Sequence, residues 1–420
     1  MNINIVDGVK LITHKTEKFK NSKVSIYFNT KSDSSRYSEL ALLAELIGNG
    51  TKQYDSEMKV SRKLSELYGA SFGVTVLRYG DVHTLRVRIT FANDDYLPTQ
   101  ASLNELVFEF LNEVINRPLI TNGQFDQSFF DLHKKNLLNY MDSIKDNKDY
   151  YSTIKLQETY YQDDKNHGTF LYGTVSDLQK LTAKSLADTY DFLMKNAAVT
   201  VVAAGDFDDD STFDQVKRIF AGRGHQAEIN KPYVTVTSVD SIINKEQQVH
   251  ASQSVYMLGY EFPVYYPDED YAAAIVMNQV LGGSTQSLLF NDVREKQSLA
   301  YDISSTYNSL TGMLTIATGI DKQNKEKVKR SIEDQIQKII NGDFSDKILA
   351  GIKTSVLDQR KSESDFLSSV MERQFIEELT NYSVSSEEYA KMINQVDKAA
   401  ISRVAGKLKL RATFALTGED

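Results

Sequence analysis

The second half of this 420-residue chain repeats the first, segment by segment and in the same order. That repeat constrains the fold more tightly than any other feature. Val24-Ser25-Ile26-Tyr27-Phe28 is matched by Ser254-Val255-Tyr256-Met257-Leu258, and the apolar helix around Leu40 to Leu46 by Tyr271 to Val280. Leu64 to Val74 (LSELYGASFGV) parallels Val293 to Ser304 (VREKQSLAYDIS), and Leu85 to Phe91 parallels Met313 to Gly319. Late in each half, Val199 to Asp206 is matched by Arg411 to Glu419. Each half reads as strand, helix, helix and hairpin followed by a helical run. The expected fold is α+β: two tandem half-domains, each a mainly antiparallel sheet with helices packed on one face.

Local signals place the elements. Val9 to Thr13 and Val24 to Phe28 read as strands, the second rich in β-branched and aromatic residues. Ser38 to Ile47 reads as an apolar helix ended by Gly48-Asn49-Gly50, and Ser56 to Tyr68 as a helix with Val60, Leu64 and Leu67 on one stripe. Ala70 to Leu77 and Thr84 to Phe91 suit a hairpin, and Leu103 to Ile115 a further helix. Thr121 to Tyr161 reads as helical with a junction at Ile144 to Tyr150; Thr182 to Asn196 is a helix leading into the strand Val199 to Ala204. Asp206, Asp208, Asp209 and Asp210 lack the alternating order of a calcium loop and read as a solvated turn capping a helix at Phe213 to Phe220. Residues 221–247 are polar with little periodicity. The expected division is therefore a half-domain at 1–220, a linker at 221–247 and a half-domain at 248–420.

Composition excludes several classes. Apolar residues make up 41% of the chain, enough for a large core, and the net charge of -9 with scattered basic residues argues against nucleic acid and anionic membrane as partners. No cysteine is present, so there is no disulfide, thiolate metal site or thiol nucleophile. No apolar run approaches the ~18 residues that span a bilayer. The first twenty residues lack a signal-peptide pattern, and a cytoplasmic location is expected.

The densest cluster of chemical signals is Leu281 to Tyr301, LGGSTQSLLFNDVREKQSLAY. Gly282-Gly283-Ser284 suits a tight turn, and Ser284 or Thr285 is placed to cap the helix that follows. Leu289 and Val293 share one buried helix face. Arg294 closes the helix, and Tyr301 opens a strand. An arginine and a tyrosine beside a glycine-rich turn suit the holding of a peptide carbonyl or carboxylate. On their own they better suit a solvated helix end and a core tyrosine.

The run Gly282-Gly283-Ser284 followed by Arg294-Glu295-Lys296-Gln297-Ser298-Leu299-Ala300-Tyr301 resembles the C-terminal half-domain motif of pitrilysin/insulinase-type zinc peptidases. The resemblance implies that Arg294 and Tyr301 hold the substrate backbone opposite a zinc centre on another half-domain. It also implies a half-clamshell of two half-domains. In active members, an N-terminal helix carries H-x-x-E-H, two histidines for zinc and a glutamate as general base. Gly50-Thr51 stands where the family has Gly-Thr after that helix, so the motif positions fall on Ala41-Leu42-Leu43-Ala44-Glu45. Ala41 and Glu45 replace the histidines and Ala44 the base. The third ligand falls near Asn139 or Tyr140, neither a carboxylate.

The six histidines are His14, His83, His133, His167, His225 and His250, and no two stand four apart on one helix. His133 is the one near the expected third-ligand region; a surface or capping role is the plainer expectation for it. No hydrolysis by this chain alone is expected, and no metal in this chain. Lys18-Phe19-Lys20 and Glu66-Leu67-Tyr68-Gly69-Ala70-Ser71-Phe72-Gly73 further resemble a zinc-less bacterial branch of the same family. The resemblance implies pairing with a zinc-bearing paralogue into a chamber for short or unfolded peptides. The other reading is a catalytically inactive homodimer that binds peptide or serves a structural role.

Overall fold

The computed structural model describes residues 2–98, 102–223, 231–237, 241–250 and 253–418. In chain order the first half begins with β1 (Asn2–Val6), β2 (Val9–Lys15), β3 (Asn21–Lys31), α1 (Tyr37–Asn49), α2 (Glu57–Glu66), β4 (Ser71–Tyr79) and β5 (Val82–Ala92). It continues with α3 (Leu103–Asn116), a short pair β6 (Ile120–Thr121) and β7 (Gln124–Phe125), α4 (Gln127–Ser143) and α5 (Lys148–Tyr160). Two short helices, α6 (Lys165–Gly168) and α7 (Val175–Lys180), precede α8 (Ala183–Asn196), β8 (Ala198–Gly205) and α9 (Asp209–Ile219). The second half runs β9 (Ile243–Val249), β10 (Ser254–Glu261), α10 (Tyr271–Asn278), β11 (Ala300–Asn308) and β12 (Met313–Ile320). It closes with α11 (Lys325–Ile340), α12 (Asp346–Glu363), α13 (Leu367–Thr380), α14 (Ser386–Gln395), α15 (Lys398–Ala405) and β13 (Lys409–Gly418).

One sheet has the order β1-β2-β8-β3-β5-β4 and the other β11-β12-β10-β13-β9. Taken from β9, the second sheet reproduces the first from β2 onward. β2 and β8 pair in parallel, as do β9 and β13, and the remaining pairs are antiparallel in both. The repeated segments therefore occupy equivalent strands. β9 lies inside the stretch expected as linker. Its polar sequence INKEQQV is exposed at every position but its ends, so it carries no alternating apolar signal.

The compact units are not the contiguous halves 1–220 and 248–420. One unit comprises Met1–Asp142, Phe170–Pro232 and Glu363–Asn381; the other comprises Ser143–Thr169, Tyr233–Ser362 and Tyr382–Asp420. The first unit takes α13 from the second half of the sequence and the second unit takes α5 and the short α6 from the first, and burial explains why. The central strands β8 and β10 are buried at nearly every position, so both faces of each sheet need a cover.

In the first unit, one face of the sheet packs against helices α1, α3, α8 and α9. The opposite face presents Ile12, Tyr27, Val202 and Ala204 to Leu367, Met371, Phe375 and Leu379, a stripe at four-residue spacing on α13. In the second unit, Tyr256, Leu258, Leu314 and Ile316 pack with α10, α11, α12 and α15. Its opposite face, with Met257, Phe414 and Leu416, is covered by Leu156 and Tyr160 of α5. Gly259 permits this close seat: a Cβ there would lie 2.9 Å from the Tyr160 ring. The C-terminus of α5 is tied down by buried Arg411, whose Nε donates to Tyr160 O at 2.7 Å while Nη1 pairs with Glu261 Oε1 at 2.7 Å. The helix junction expected at Ile144 to Tyr150 is where the chain leaves the first unit.

Candidate functional site

Two groups of residues correspond to the motifs, one in each unit. The first lies on α1. Ser38, Ala41 and Glu45 follow at helical spacing on one face. Ala41 and Ala44 pack into the core at 1% and 5% exposure, while Glu45 is half-buried. Gly50, after the helix, sits where a Cβ would lie 2.7 Å from both Leu119 and the Phe129 ring, so the glycine serves close packing.

The segment before α7 lies along this face of α1. Ser38 Oγ donates to the carbonyl of Tyr172, 3.2 Å away. Gly173 has a left-handed backbone at φ 75, which favours glycine, and a Cβ on it would meet Ser38 Oγ at 2.1 Å. Tyr172 stacks on Phe170 with ring centroids 5.3 Å apart and meets Tyr140 of α4 at 5.4 Å. Burial raises the Tyr172 phenol above its usual range, and then Tyr140 and the Glu45 carboxylate add to it. Glu45 itself is raised, first by burial and then by the charge of Glu57. Glu57 Oε1 in turn lies 3.7 Å from His133 Nε2. Of the two alternatives for the third-ligand position, Asn139 and Tyr140 are both exposed, and Tyr140 meets Tyr172 of this cluster.

These residues do not fit zinc. Two methyl groups and one carboxylate stand on α1 where two imidazoles and a base are required. Among the described residues, no three His, Asp or Glu side chains group as metal ligands. His133 is neither a surface nor a capping residue: it is 1% exposed, packs on Phe129 with centroids 4.3 Å apart, and burial lowers its pKa against the opposing pull of Glu57. His225 lies outside the described residues. The aromatic cluster was not read from sequence, although Phe170-Leu171-Tyr172 before a glycine is its visible trace.

The second group belongs to the other unit. Gln279–Gly283 and Phe290–Lys296 are π-helical turns, a rare geometry frequent at functional sites. Gly282 has no left-handed backbone; it is there because a Cβ would meet Ser305 N at 2.8 Å and Leu289 Cδ1 at 2.9 Å. A Cβ on Gly283 would likewise lie 2.9 Å from the Gln279 side chain. Neither Ser284 nor Thr285 caps the following turn. Ser284 Oγ donates back to Gln279 O, and buried Ser287 Oγ accepts from Phe290 N at 3.3 Å. Ser298, at φ 50, takes the left-handed position that ends the π-turn, as Gly69 does at φ 73 in the matching segment.

Arg294 projects from this turn, 40% exposed, with its guanidinium 4.6 Å above the Phe290 ring. Its nearest carboxylate, Glu295, is 3.7 Å from Nε, beyond hydrogen-bond range. The planar fork is oriented by the ring, and its donors are free for a planar acceptor. Tyr301 is the extra residue of a β-bulge between Ala300 and Asp302, which turns its side chain outward to 51% exposure instead of into the core. Its phenol donates to Asp321 Oδ1 at 2.7 Å, and this bond raises its pKa, keeping it neutral near pH 7. A carbonyl ligand must compete with Asp321 for that proton.

Comparison with known proteins agrees with this geometry. The family profile described as peptidase M16 inactive domain matches residues 180–356. The chain is 26% identical over 408 residues to "Probable inactive metalloprotease YmfF" of Bacillus subtilis, covering 97% of this chain and 95% of that protein. It resembles the M16 peptidase family. Within that family, which comprises the pitrilysin and insulinase-type enzymes, it resembles the inactive YmfF-like members. A conserved protein from Enterococcus faecalis, solved by crystallography, superposes with a TM-score of 0.93 at 30% identity, covering all of this chain and 98% of that one. An 81-residue stretch is also 37% identical to "Uncharacterized zinc protease YmxG" of Bacillus subtilis, covering 19% of this chain and 20% of that protein. Among the described residues, no helix is long and apolar enough to cross a membrane.

Proposed function

We propose that this M16-like chain is the non-catalytic subunit of a zinc peptidase. In this reading Arg294 and Tyr301 complete the substrate site of a zinc-bearing paralogue, which cleaves short or unfolded peptides in a closed cytoplasmic chamber formed by both chains. The zinc belongs to the partner. The observation that carries this reading is the asymmetry between the two groups. The metal-binding positions on α1 hold Ala41, Ala44 and Glu45, while Arg294 keeps an oriented guanidinium with no hydrogen-bond acceptor among the described residues. A solvated helix end gains little from such a free fork, whereas a peptide carbonyl or carboxylate gains two donors. Bacillus subtilis, with one probable inactive relative and one named a zinc protease, offers a pattern for such a pair.

The test is co-expression with a zinc-bearing paralogue from the same genome, followed by mass, zinc content and quenched-peptide turnover. Zinc and turnover confined to a one-to-one complex are expected. In that complex Arg294→Ala with Tyr301→Phe should lower turnover about 10-fold or more, since one lost donor costs roughly 2.7–4 kcal/mol. A zinc-free homodimer that ignores the paralogue would overturn the reading in favour of a peptide-binding or structural homodimer.

A further inference from the structure

Tyr301 and Asp321 form a hydrogen-bonded pair that the local backbone is shaped to present. Asp302, the residue after the bulge, pins it in place. Asp302 Oδ1 accepts from Gly319 N at 3.1 Å, and Thr318 Oγ1 donates to Asp302 O at 2.8 Å. A Cβ on Gly319 would collide with that carboxylate oxygen, so the close approach requires glycine. The pinned bulge leaves Tyr301 outside the strand register and 51% exposed, beside the end of β12, where the chain passes from Ile320 into Asp321.

Asp321 stands at the N-cap of a short 3-10 turn, Lys322–Asn324, where an aspartate ordinarily accepts from the turn's own N–H groups. Its side chain makes no such bond and accepts the Tyr301 phenol instead, at 2.7 Å. Lys325, four residues on, is taken by Glu246 of β9 at 2.5 Å. Among the described residues the phenol is thus the one hydrogen-bonding partner of the Asp321 side chain. A ligand carbonyl that takes the phenol's proton leaves this carboxylate without a donor. A peptide unit restores both bonds, because its C=O accepts and its N–H donates. An ester or an N-substituted amide restores only the first. The second bond is the stronger of the two, since its acceptor is charged.

We propose that Asp321 is a specificity-determining residue: Tyr301 and Asp321 exchange their mutual hydrogen bond for one peptide unit of the substrate, its C=O on the phenol and its N–H on the carboxylate. The pair thereby selects against proline and other N-substituted residues at one position of the substrate chain. The presence of a peptide here rests on the function proposed above; the demand for an N–H rests on the Tyr301–Asp321 pair.

The experiment compares an acetylated, amidated, uncharged octapeptide of flexible sequence with the series of its single N-methyl derivatives. The peptides are titrated calorimetrically into the full chain and, in parallel, used as competitors of quenched-peptide turnover by the co-expressed complex. One N-methyl position should bind about 5-fold or more weaker than the parent, the size expected for a hydrogen bond to a partly exposed carboxylate. Asp321→Leu, checked for native circular dichroism, should erase the penalty at that position. Asp321→Asn, which keeps an acceptor oxygen, should retain part of it. A purely structural Asp321 would instead shift every peptide alike. A series that is flat in wild type, or a penalty that survives Asp321→Leu, would overturn the pair. A uniform gain for every peptide in Asp321→Leu would overturn it too, since Asp321 would then only compete for the phenol. If the parent peptide binds, Arg294→Ala weakens it and the series is flat, the peptide reading stands without the pair; if no peptide binds to either sample, both fall.

Discussion

Phe375→Ala tests the exchange of helices between the units. Phe375 lies in the second half of the sequence, on α13, yet it packs in the first unit. Its ring is fully buried, stacked on Tyr27 of β3 with centroids 3.9 Å apart and planes 7° apart, and set edge-on to Tyr79 at 5.0 Å. Truncating a buried phenylalanine costs about 3–5 kcal/mol, of which the ring pairs account for roughly 0.5–1.5 kcal/mol each beyond area. At about 1.4 kcal/mol per decade, that is roughly two to three and a half decades in the opening equilibrium. Native-state hydrogen exchange is the appropriate assay, because a chain of two units need not unfold in one step. Amides of β3 and β8 should exchange about 100-fold or more faster, while those of β10 and β13 should hold their rates. Unchanged protection in β3 and β8, or a loss confined to β10 and β13, would refute the placement of α13.

Three further outcomes follow from single contacts. Gly282→Ala drives a methyl into Ser305 N at 2.8 Å and should destabilise the second unit by about 1–3 kcal/mol in urea unfolding; a stability equal to wild type would mean that the π-turn shifts freely. Arg411→Met leaves the largely buried Glu261 without its partner and frees the end of α5, an expected loss of about 3 kcal/mol that melting of the second unit's strands would register. Glu45 titrates above its unfolded range because of burial and then Glu57, so the folded state holds the extra proton and stability falls as pH rises through that window. Glu45→Gln should therefore stabilise the chain at pH 7 and converge with wild type in acid, below the ordinary carboxylate range; identical urea midpoints at pH 7 would show that the carboxylate gains a counter-ion in solution.

Much of the fold was legible because the repeat lies in apolar strand segments. Val24 to Phe28 and Ser254 to Leu258 do occupy matching strands, and the run Val199 to Ala204, apolar but for Thr200, already signals a strand covered on both faces. What covers the second face was not legible. The stripe Leu367, Met371, Phe375 and Leu379 states that a helix face is buried, and nothing local says against which sheet. β9 escaped because an exposed edge strand is specified by backbone pairing with β13 and not by side chains. The glycines at Gly282 and Gly283 read as turn-formers, yet space and not φ requires them. Ser287 caps where Ser284 and Thr285 looked equally suitable, since local sequence does not say which hydroxyl the π-turn buries.

The repeat also supplies an internal control for the site. Two halves with one topology share what the backbone needs, so residues that differ at matching positions are free of that need. Gly69 and Ser298 both take the left-handed turn and answer to the fold. Arg294 stands where the first half has Ser65, and Tyr301 is a bulged residue with no counterpart in β4, which pairs with β5 without a bulge. The second unit therefore does not require a guanidinium or a bulged phenol in order to fold. The same reasoning applies to α1, whose counterpart α10 builds an equivalent core from Ala272, Ala273, Val276 and Met277 with no acid on its buried face. A half-buried Glu45 is thus a cost that the packing of the helix did not impose.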